Sequence, residues 1–113
     1  MKGYRVKDGS RQIAFRGDLL GEASSRRPES DRWFDLRIFR TEAGRYIVEG
    51  VGRSSRPGEV DLSWVKLCDT PEDVVRGLYR VDNTGVLRLT TTAQQALDLA
   101  ARKDRGFAVT LVA

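Results

Sequence analysis

The sequence contains no histidine and only one cysteine, Cys68, and these shortages restrict the chemistry open to the protein. Histidine is the commonest general base and metal ligand, so zinc sites and Ser-His or Cys-His nucleophile pairs are excluded. A single cysteine cannot form an intrachain disulfide, which agrees with a reducing compartment, and we expect it to be a core residue. We therefore predict a protein that is not an enzyme and has no catalytic residues, metal or cofactor.

Long apolar runs are also missing from the chain. No stretch approaches the roughly 18 residues of a membrane span, and the first ten residues, MKGYRVKDGS, lack the apolar segment of a signal peptide. We therefore predict a cytoplasmic protein that does not associate with a membrane. The length of 113 residues, with 40% hydrophobic and 32% charged residues, is typical of one soluble domain spanning residues 1–113.

The net charge of +4 is concentrated in the first half of the chain. Residues 1–60 carry 13 Lys and Arg against 9 Asp and Glu, whereas residues 61–113 carry 7 of each. Arginine supplies 16 of the 20 basic residues, and its guanidinium suits bidentate contacts to carboxylate or phosphate. Composition therefore allows an acidic protein or a nucleic acid as partner, and a merely solvated basic surface is the alternative.

Residues 32–53, RWFDLRIFRTEAGRYIVEGVGR, predict a long β-hairpin. Gly44 can close a three-residue loop, and the register that results pairs Ile38 with Val48 and Arg37 with Glu49. The apolar residues then share one face, and the charged residues share the other, so we expect a sheet with one buried side. The predicted apolar face consists of Phe34, Leu36, Ile38, Tyr46 and Val48.

Three more strands complete the predicted sheet. The Asp8-Gly9 pair is a strong turn signal that joins a first hairpin, whose second strand continues through Glu22 with a bulge near Gly17-Asp18. Residues 59–68 resume alternation after a polar loop. The sequence thus predicts that residues 1–68 form a five-stranded antiparallel meander.

The apolar period changes from two to 3.6 after Cys68. Thr70 and Pro71 begin a predicted helix that runs to about Arg80, where residues 82–85 stop it. A capping box of Thr91 and Gln94 begins a second helix over residues 92–103.

Alternation at the chain end predicts a short final strand or extended tail containing Phe107, Val109 and Leu111. The predicted fold class is therefore α+β, a five-stranded antiparallel meander sheet with two C-terminal helices packed on one face and a short final strand. Residues 69–113 form its helical half.

Two loops rich in Arg, Ser and Pro, at residues 24–30 and 54–58, carry the candidate binding residues. Alternate connections of a meander fall at the same end of the sheet, so the arginines of both loops are expected to converge as its most positive patch. Such a cluster could hold phosphates or an acidic protein surface, whereas neutralisation by Glu29, Asp31 and Glu59 is the alternative. The predicted partner-binding residues are Arg26, Arg27, Arg53, Arg56 and Trp33.

Three further groups of residues are weaker candidates for a metal site or a contact surface. Asp35 and Glu49 could hold a divalent metal, but we favour them as charge partners of Arg37 and its neighbours. The oxygen-rich residues 82–85 lack the rest of a calcium loop, and a helix stop is the better interpretation. Trp33 and Trp64 fall on opposite faces of the sheet, so one is expected to be a contact residue and the other a core residue.

The segments FRGDLLGE, residues 15–22, and IFRTEAGRYIV, residues 38–48, resemble the EXLDI family of small bacterial proteins. The resemblance covers about a third of the chain and consists of strand and turn residues. The chain lacks the N-terminal ribbon-helix-like extension and the acidic C-terminal signature of that family. The resemblance implies a bacterial, non-enzymatic protein and transfers no functional residue.

These features lead to two principal hypotheses. The first is a small bacterial or mobile-element accessory protein that binds or inhibits an acidic protein partner through the basic loops and the exposed sheet surface. The second is a nucleic-acid-binding protein that contacts phosphates through the same loops. A homodimer formed through an unpaired sheet edge is compatible with the first hypothesis. An enzyme is the third class, in the form of a metal-dependent hydrolase using Asp35, Glu49 and a basic residue.

Overall fold

A curled antiparallel sheet of five strands occupies the first part of the protein in the computed structural model, which describes residues 1–108. Each strand pairs with the next along the chain, as the sequence predicts, so the meander is confirmed. The strands are β1 (Lys2–Asp8), β2 (Arg11–Ser24), β3 (Arg32–Thr41), β4 (Tyr46–Ser54) and β5 (Leu62–Cys68).

The central hairpin of β3 and β4 has the predicted register. Ile38 lies opposite Val48 and Arg37 lies opposite Glu49. Gly44 has a φ of 81°, a left-handed conformation that glycine adopts without a steric penalty, and its amide donates to the Thr41 carbonyl at 2.9 Å. The alternation of apolar and polar residues and the glycine in the turn therefore together determine the register of this hairpin.

The bulge in β2 lies later than the predicted position at Gly17-Asp18. Gly17 keeps regular pairing with Thr41, and the register shifts between Leu19 and Gly21 instead. The extra residue, Leu20, is buried under the helices, whereas Leu19 packs on the opposite face of the sheet. A bulge at this point explains how two adjacent leucines both contact apolar neighbours.

The first helix, α1 (Pro71–Leu78), is capped as predicted but is shorter. The Thr70 side chain accepts a hydrogen bond from the Asp73 amide at 3.1 Å. The helix ends before Arg80 because a two-stranded hairpin of β6 (Arg80–Val81) and β7 (Leu87–Arg88) follows. Residues 82–85, interpreted from the sequence as a helix stop, form the turn of that hairpin.

The second helix, α2 (Thr91–Lys103), begins one residue earlier than predicted. Its N-cap is Thr90, which accepts from the Ala93 amide, and Gln94 donates to Asp98 within the helix, so the predicted capping box does not form. A Cβ on Gly21 would lie 2.2 Å from the Ala96 carbonyl oxygen, so β2 and α2 pack closely because glycine has no side chain.

The segment after α2 is a 3-10 helix, Arg105–Ala108, and not the start of a strand. The Asp104 carboxylate accepts from the Gly106 amide at 2.9 Å, and this contact turns the chain so that Phe107 is buried. The assignment of Phe107 to a final strand was therefore wrong. Val109 and Leu111, the other residues of the predicted strand, lie outside the described residues.

Apolar side chains pack on both faces of the sheet, although the sequence predicted one buried side. The helices cover the first, which we call the helix-covered face; its core includes Leu20, Leu36, Ile38, Val48, Val74, Ala96 and Leu97. The other, the inner face, lies inside the curl of the sheet and buries a second core of Val6, Phe39 and Ile47, flanked by Tyr4, Ile13, Phe15, Leu19 and Val65.

The curl brings the first hairpin across to the last strand. The Gly9 amide donates to the Ser63 carbonyl at 2.9 Å, and the Val65 amide donates to an Asp8 carboxylate oxygen at 3.3 Å. One half of the inner face is therefore covered by β1 and β2. The helices of residues 1–108 include none with the length and apolar character needed to cross a membrane.

Candidate functional site

The two arginine-containing loops meet at one end of the sheet, as predicted from the meander. The Ser55 amide donates to the Asp31 carbonyl at 2.9 Å, and Trp33 lies opposite Arg53 in the β3–β4 ladder. We call this region, residues 25–31 and 55–61 with the strand ends that carry Trp33 and Arg53, the loop end. It places all five predicted partner-binding residues at the same end of the molecule.

Arg26 and Trp33 form a stacked pair at the loop end. The Arg26 guanidinium carbon lies 4.3 Å from the centroid of the Trp33 ring, within the range of a cation–π interaction. Arg26 is exposed, whereas Trp33 is half-buried. Beside them the Arg27 amide donates to the Ser30 hydroxyl at 2.9 Å, and this contact shapes the loop while the arginine stays exposed.

The other two predicted arginines lie against carboxylates. Arg53 donates to both Asp35 and Asp61, and Arg56 donates to Asp31 at 2.7 Å. A hydrogen bond from Arg56 lowers the pKa of Asp31, and a hydrogen bond to Asp35 raises the pKa of Arg53. These carboxylates balance much of the positive charge that the sequence led us to expect in this region.

A further ion pair reinforces this balance. Arg32 forms two hydrogen bonds with Glu59, whose pKa falls to about 2 because of Arg32 and a third hydrogen bond from Ser54. Of the predicted neutralising residues, Asp31 pairs with Arg56, whereas Glu59 pairs with Arg32 and Glu29 forms no ion pair with any of residues 1–108. Positive and negative side chains therefore alternate at the loop end. Arg26 and Arg27 make no ion pair with any of residues 1–108.

A cavity on the inner face is a second candidate, which the sequence analysis missed. It has a volume of about 460 Å³ and lies on the part of the inner face that is lined from β2, β3 and β4. Its charged lining residues are Glu22, Asp35, Arg37, Glu49 and Arg53. The predicted hairpin register placed three of these on one face, but that face was taken to be open to solvent.

Glu49 is the most deeply buried charged residue of this cavity, with 6% of its surface exposed. Arg37 binds one of its carboxylate oxygens at 2.7 Å, and the Lys7 amide approaches the other at 3.4 Å. Asp35 is bound by Arg53. Both carboxylates are thus charge partners of arginines, and residues 1–108 contain no group of three ligands able to hold a metal ion.

The remaining candidates have structural explanations. The Asp82 carboxylate accepts from the Thr84 amide at 2.9 Å and the Val86 amide at 3.0 Å, so it organises the β6–β7 turn. Cys68 is buried in the core, and burial raises the pKa of its thiol. Trp64 lies on the face opposite Trp33 and stacks on Phe34 with ring centroids 6.3 Å apart.

Comparisons with protein-family models, curated proteins and solved structures found no match to this chain. The resemblance to the EXLDI family therefore gains no support from them.

Proposed function

We propose that the chain is a small non-enzymatic accessory protein of the bacterial cytoplasm that binds a protein partner through its loop end. The observation that carries the proposal is the Arg26–Trp33 stack beside the exposed Arg27. Tryptophan and arginine are the residue types most enriched in binding hot spots of protein interfaces. Stacking on the ring also restricts the Arg26 side chain, which lowers the entropy lost when a partner binds.

The alternating charges of the loop end favour a protein partner over a nucleic acid. Arg53 and Arg56 already interact with carboxylates, so a phosphate would have to displace Asp35, Asp61 or Asp31. A protein surface can instead match both signs, with its own acidic groups placed against Arg26 and Arg27. We therefore expect a partner whose contact surface is acidic at its centre and mixed in charge at its rim.

A charge-reversal experiment tests the proposal. Arg27→Glu/Arg56→Glu changes the loop end, and Arg16→Glu/Arg45→Glu makes the same change in charge at the opposite end of the sheet. Arg45 is a close match for Arg56, because each is exposed and forms one ion pair, with Asp69 at 3.0 Å and Asp31 at 2.7 Å respectively. Partners captured from a lysate by the wild-type protein are identified, purified and titrated against both variants.

We expect the loop-end variant to lose affinity by at least about tenfold and the control variant to bind like wild type. Both variants should unfold at nearly the wild-type temperature, because substitutions at exposed positions usually change stability by less than about 0.5 kcal/mol. Equal loss in the two variants, or wild-type binding by the loop-end variant, would show that the loop end is not the interface.

Nucleic-acid binding is a second candidate, supported by the sequence pI of about 9.6 and by Arg26 and Arg27, which pair with no carboxylate of residues 1–108. The logarithm of such affinity falls linearly with the logarithm of salt concentration, by about 0.9 for each phosphate contact. Contacts from Arg26 and Arg27 alone predict a slope of about −1.8, whereas four arginines predict about −3.6. A gel-shift titration with duplex DNA measures the slope, and no shift at low salt removes this candidate.

A homodimer remains a proposal, but the edge of β5 is a poor place for it. The Ser63 carbonyl and the Val65 amide already bond to the first hairpin. A second copy would therefore find these backbone groups occupied, since strand addition requires free donors and acceptors. Sedimentation equilibrium over a range of concentrations determines the oligomeric state.

A further inference from the structure

One half of β2 has an unpaired edge. β1 pairs with β2 only as far as Lys2, which lies opposite Gly17, whereas β2 continues to Ser24 and pairs with β3 along that length. Among residues 1–108 no other strand of the sheet lies beside residues 18–24 on the side away from β3. β2 is therefore an inner strand in its first half and an edge strand in its second half.

One backbone hydrogen bond shows which residues of this edge direct their backbone groups outwards. The Ser25 amide donates to the Phe34 carbonyl of β3 at 2.9 Å. Alternate residues of a strand direct their N–H and C=O groups to opposite sides, so Ala23 also faces β3, whereas Glu22 and Ser24 face away from it. The four outward backbone groups of Glu22 and Ser24 have no backbone partner within residues 1–108.

The start of the same edge is blocked. The register shift between Leu19 and Gly21 interrupts the regular spacing of the backbone groups, and the Lys103 ammonium group donates to the Leu19 carbonyl at 3.0 Å. Bulges and lysine side chains are two of the devices that prevent another strand from adding to an edge. The accessible edge is therefore short and centred on Ala23, which restricts the register in which a strand can pair.

The other edges of the sheet are less suited to a second copy of the chain. The edge of β5 already bonds to the first hairpin, in part through the Asp8 carboxylate. The edge of β1 carries Lys2, Arg5 and Lys7, and its one acidic residue, Asp8, is engaged in that contact. Two β1 edges would therefore bring like charges together, which destabilises a strand pair.

The edge at residues 22–24 complements itself about a two-fold axis. When two copies are placed antiparallel with Ala23 on the axis, Glu22 of each copy lies opposite Ser24 of the other, and the two pairs form four backbone hydrogen bonds. Ala23 lies on the helix-covered face, opposite Ala23 of the other copy, where a methyl group does not obstruct the pairing.

The charges beside this edge also favour a second copy as the occupant. Glu22 is exposed, and Arg37, which lies opposite it on β3, binds Glu49 instead. Arg26 is exposed and stacks on Trp33, the position that it would have if the β2–β3 ladder continued by two residues. In the two-fold pairing, Glu22 of one copy is then the diagonal neighbour of Arg26 of the other, so each copy supplies a charge that the other leaves unpaired.

We propose that two copies of the chain associate by antiparallel pairing of residues 22–24 of β2, which joins their two five-stranded sheets across a two-fold axis. The paired segment is short, so we expect a weak dimer with a Kd of about 0.1 mM. The proposal does not rest on the loop end as a partner-binding surface, because the paired backbone groups belong to β2 and the dimer needs no other protein.

Sedimentation equilibrium and amide hydrogen exchange test the proposal on the purified protein. We expect the dimer to predominate as the protein concentration rises to about 1 mM. Exchange of the Glu22 and Ser24 amides should slow over the same range, because both amides become hydrogen-bonded. A protein that is still monomeric at about 1 mM, or a dimer in which these two amides exchange as fast as in dilute protein, would overturn the proposal.

Two charge variants test the register. Glu22→Arg brings four arginines together at the interface, and we expect it to weaken dimerisation by at least about tenfold. Glu22→Arg/Arg26→Glu exchanges the two charges and should recover most of the wild-type affinity. Glu42→Arg is the matched control, because Glu42 is exposed in the β3–β4 turn and the substitution makes the same change in net charge. Equal weakening by Glu22→Arg and Glu42→Arg, or no recovery in the double variant, would contradict the pairing.

A backbone variant tests the hydrogen bonds separately from the charges. Glu22→Pro removes an amide that faces away from β3, a position at which a sheet tolerates proline. Glu22→Ala removes the same side chain but keeps the amide, and thermal unfolding of the two variants checks that both are folded. We expect Glu22→Pro to dimerise at least about tenfold more weakly than Glu22→Ala. Equal dimerisation of the two folded variants would rule out strand pairing at this edge.

Discussion

The two faces of the sheet bury similar apolar residues but differ in where their acidic residues lie. The helix-covered face holds an apolar core, and a partly buried acidic residue, Asp104, lies at its margin, where it accepts from the Tyr46 hydroxyl at 2.6 Å. The inner face holds a smaller core at one half and the buried carboxylate of Glu49 in the cavity at the other. The core of the helix-covered face is thus apolar throughout, whereas the inner face buries a charged residue, Glu49, beside its smaller core.

The largest expected effect tests whether the inner face contains a core at all. Phe39→Ala removes the central ring of that face, which is fully buried and contacts Tyr4 and Phe15 at centroid distances of 4.8 and 5.1 Å. We expect a loss of about 3–5 kcal/mol in the free energy of unfolding, measured by urea denaturation. Ile38→Ala on the helix-covered face is the control and should cost about 2–5 kcal/mol. A loss below about 1 kcal/mol for Phe39→Ala would mean that the inner face is not a folded core.

The next effect concerns the ion pair of the inner face, in which Glu49 is buried and Arg37 is partly exposed. Arg37→Met leaves the Glu49 carboxylate buried without its partner, and we expect it to lower stability by about 2–3 kcal/mol. The double variant Arg37→Met/Glu49→Leu removes both charges and should recover most of that loss. Urea denaturation of both proteins measures the difference. A double variant less stable than Arg37→Met would show that the pair itself stabilises the fold.

A smaller effect is expected at the margin of the helix-covered face. Burial acts to raise the pKa of Asp104, but hydrogen bonds from Tyr46 and the Gly106 amide, with the charge of Arg40, lower it overall. Because the pKa is lower in the folded protein than in the unfolded chain, the ionised carboxylate stabilises the fold above about pH 4. This contribution is lost as the pH falls through the folded pKa.

Asp104→Asn should therefore lower the free energy of unfolding by about 1–2 kcal/mol at pH 7 and by less at pH 3. Asp98→Asn on the exposed side of α2 is the control and should change stability little at either pH. Thermal unfolding at the two pH values measures both proteins. An equal loss for Asp104→Asn at pH 7 and pH 3 would show that ionisation of Asp104 does not contribute.

The smallest expected effect lies at the loop end, where charges are solvated. Arg32→Gln should raise the pKa of Glu59 from about 2 part of the way towards its usual value, since the hydrogen bond from Ser54 remains, as measured by NMR titration. We expect the unfolding temperature to change little, since exposed ion pairs contribute little to stability. A Glu59 pKa that stays near 2 in the variant would assign the shift to Ser54 instead.

The sequence predicts the helix-covered face better than the inner face, and the reason is physical. Alternation in the central hairpin identifies Leu36 and Ile38 on one face, but the curl of the sheet depends on long-range packing that no local pattern encodes. The pairing of Phe39 with Ile47 was predicted correctly. Their face becomes a core only because β1 and β2 close over it.

Local sequence predicts the start of a helix correctly where one residue is the clear N-cap, and it fails where neighbouring residues are equally suitable. Thr70 followed by proline identifies the start of α1, whereas three successive threonines, residues 90–92, leave the N-cap of α2 ambiguous. The loop end was predicted from strand order alone, since a meander fixes which connections share an end. The balance of charge at the loop end was not predicted, because ion pairs such as Arg53–Asp61 depend on side-chain geometry.

The contact between the first hairpin and β5 also has a consequence for the order of folding. Asp8 and Val65 are 57 residues apart in sequence, whereas β1 and β2 meet through a two-residue turn. Closing so long a loop costs more entropy than forming a hairpin, so the local pairs are expected to form first. Synthesis proceeds from the N-terminus, so the side chains of Val6 and Phe15 are expected to stay partly exposed to water until β5 has left the ribosome.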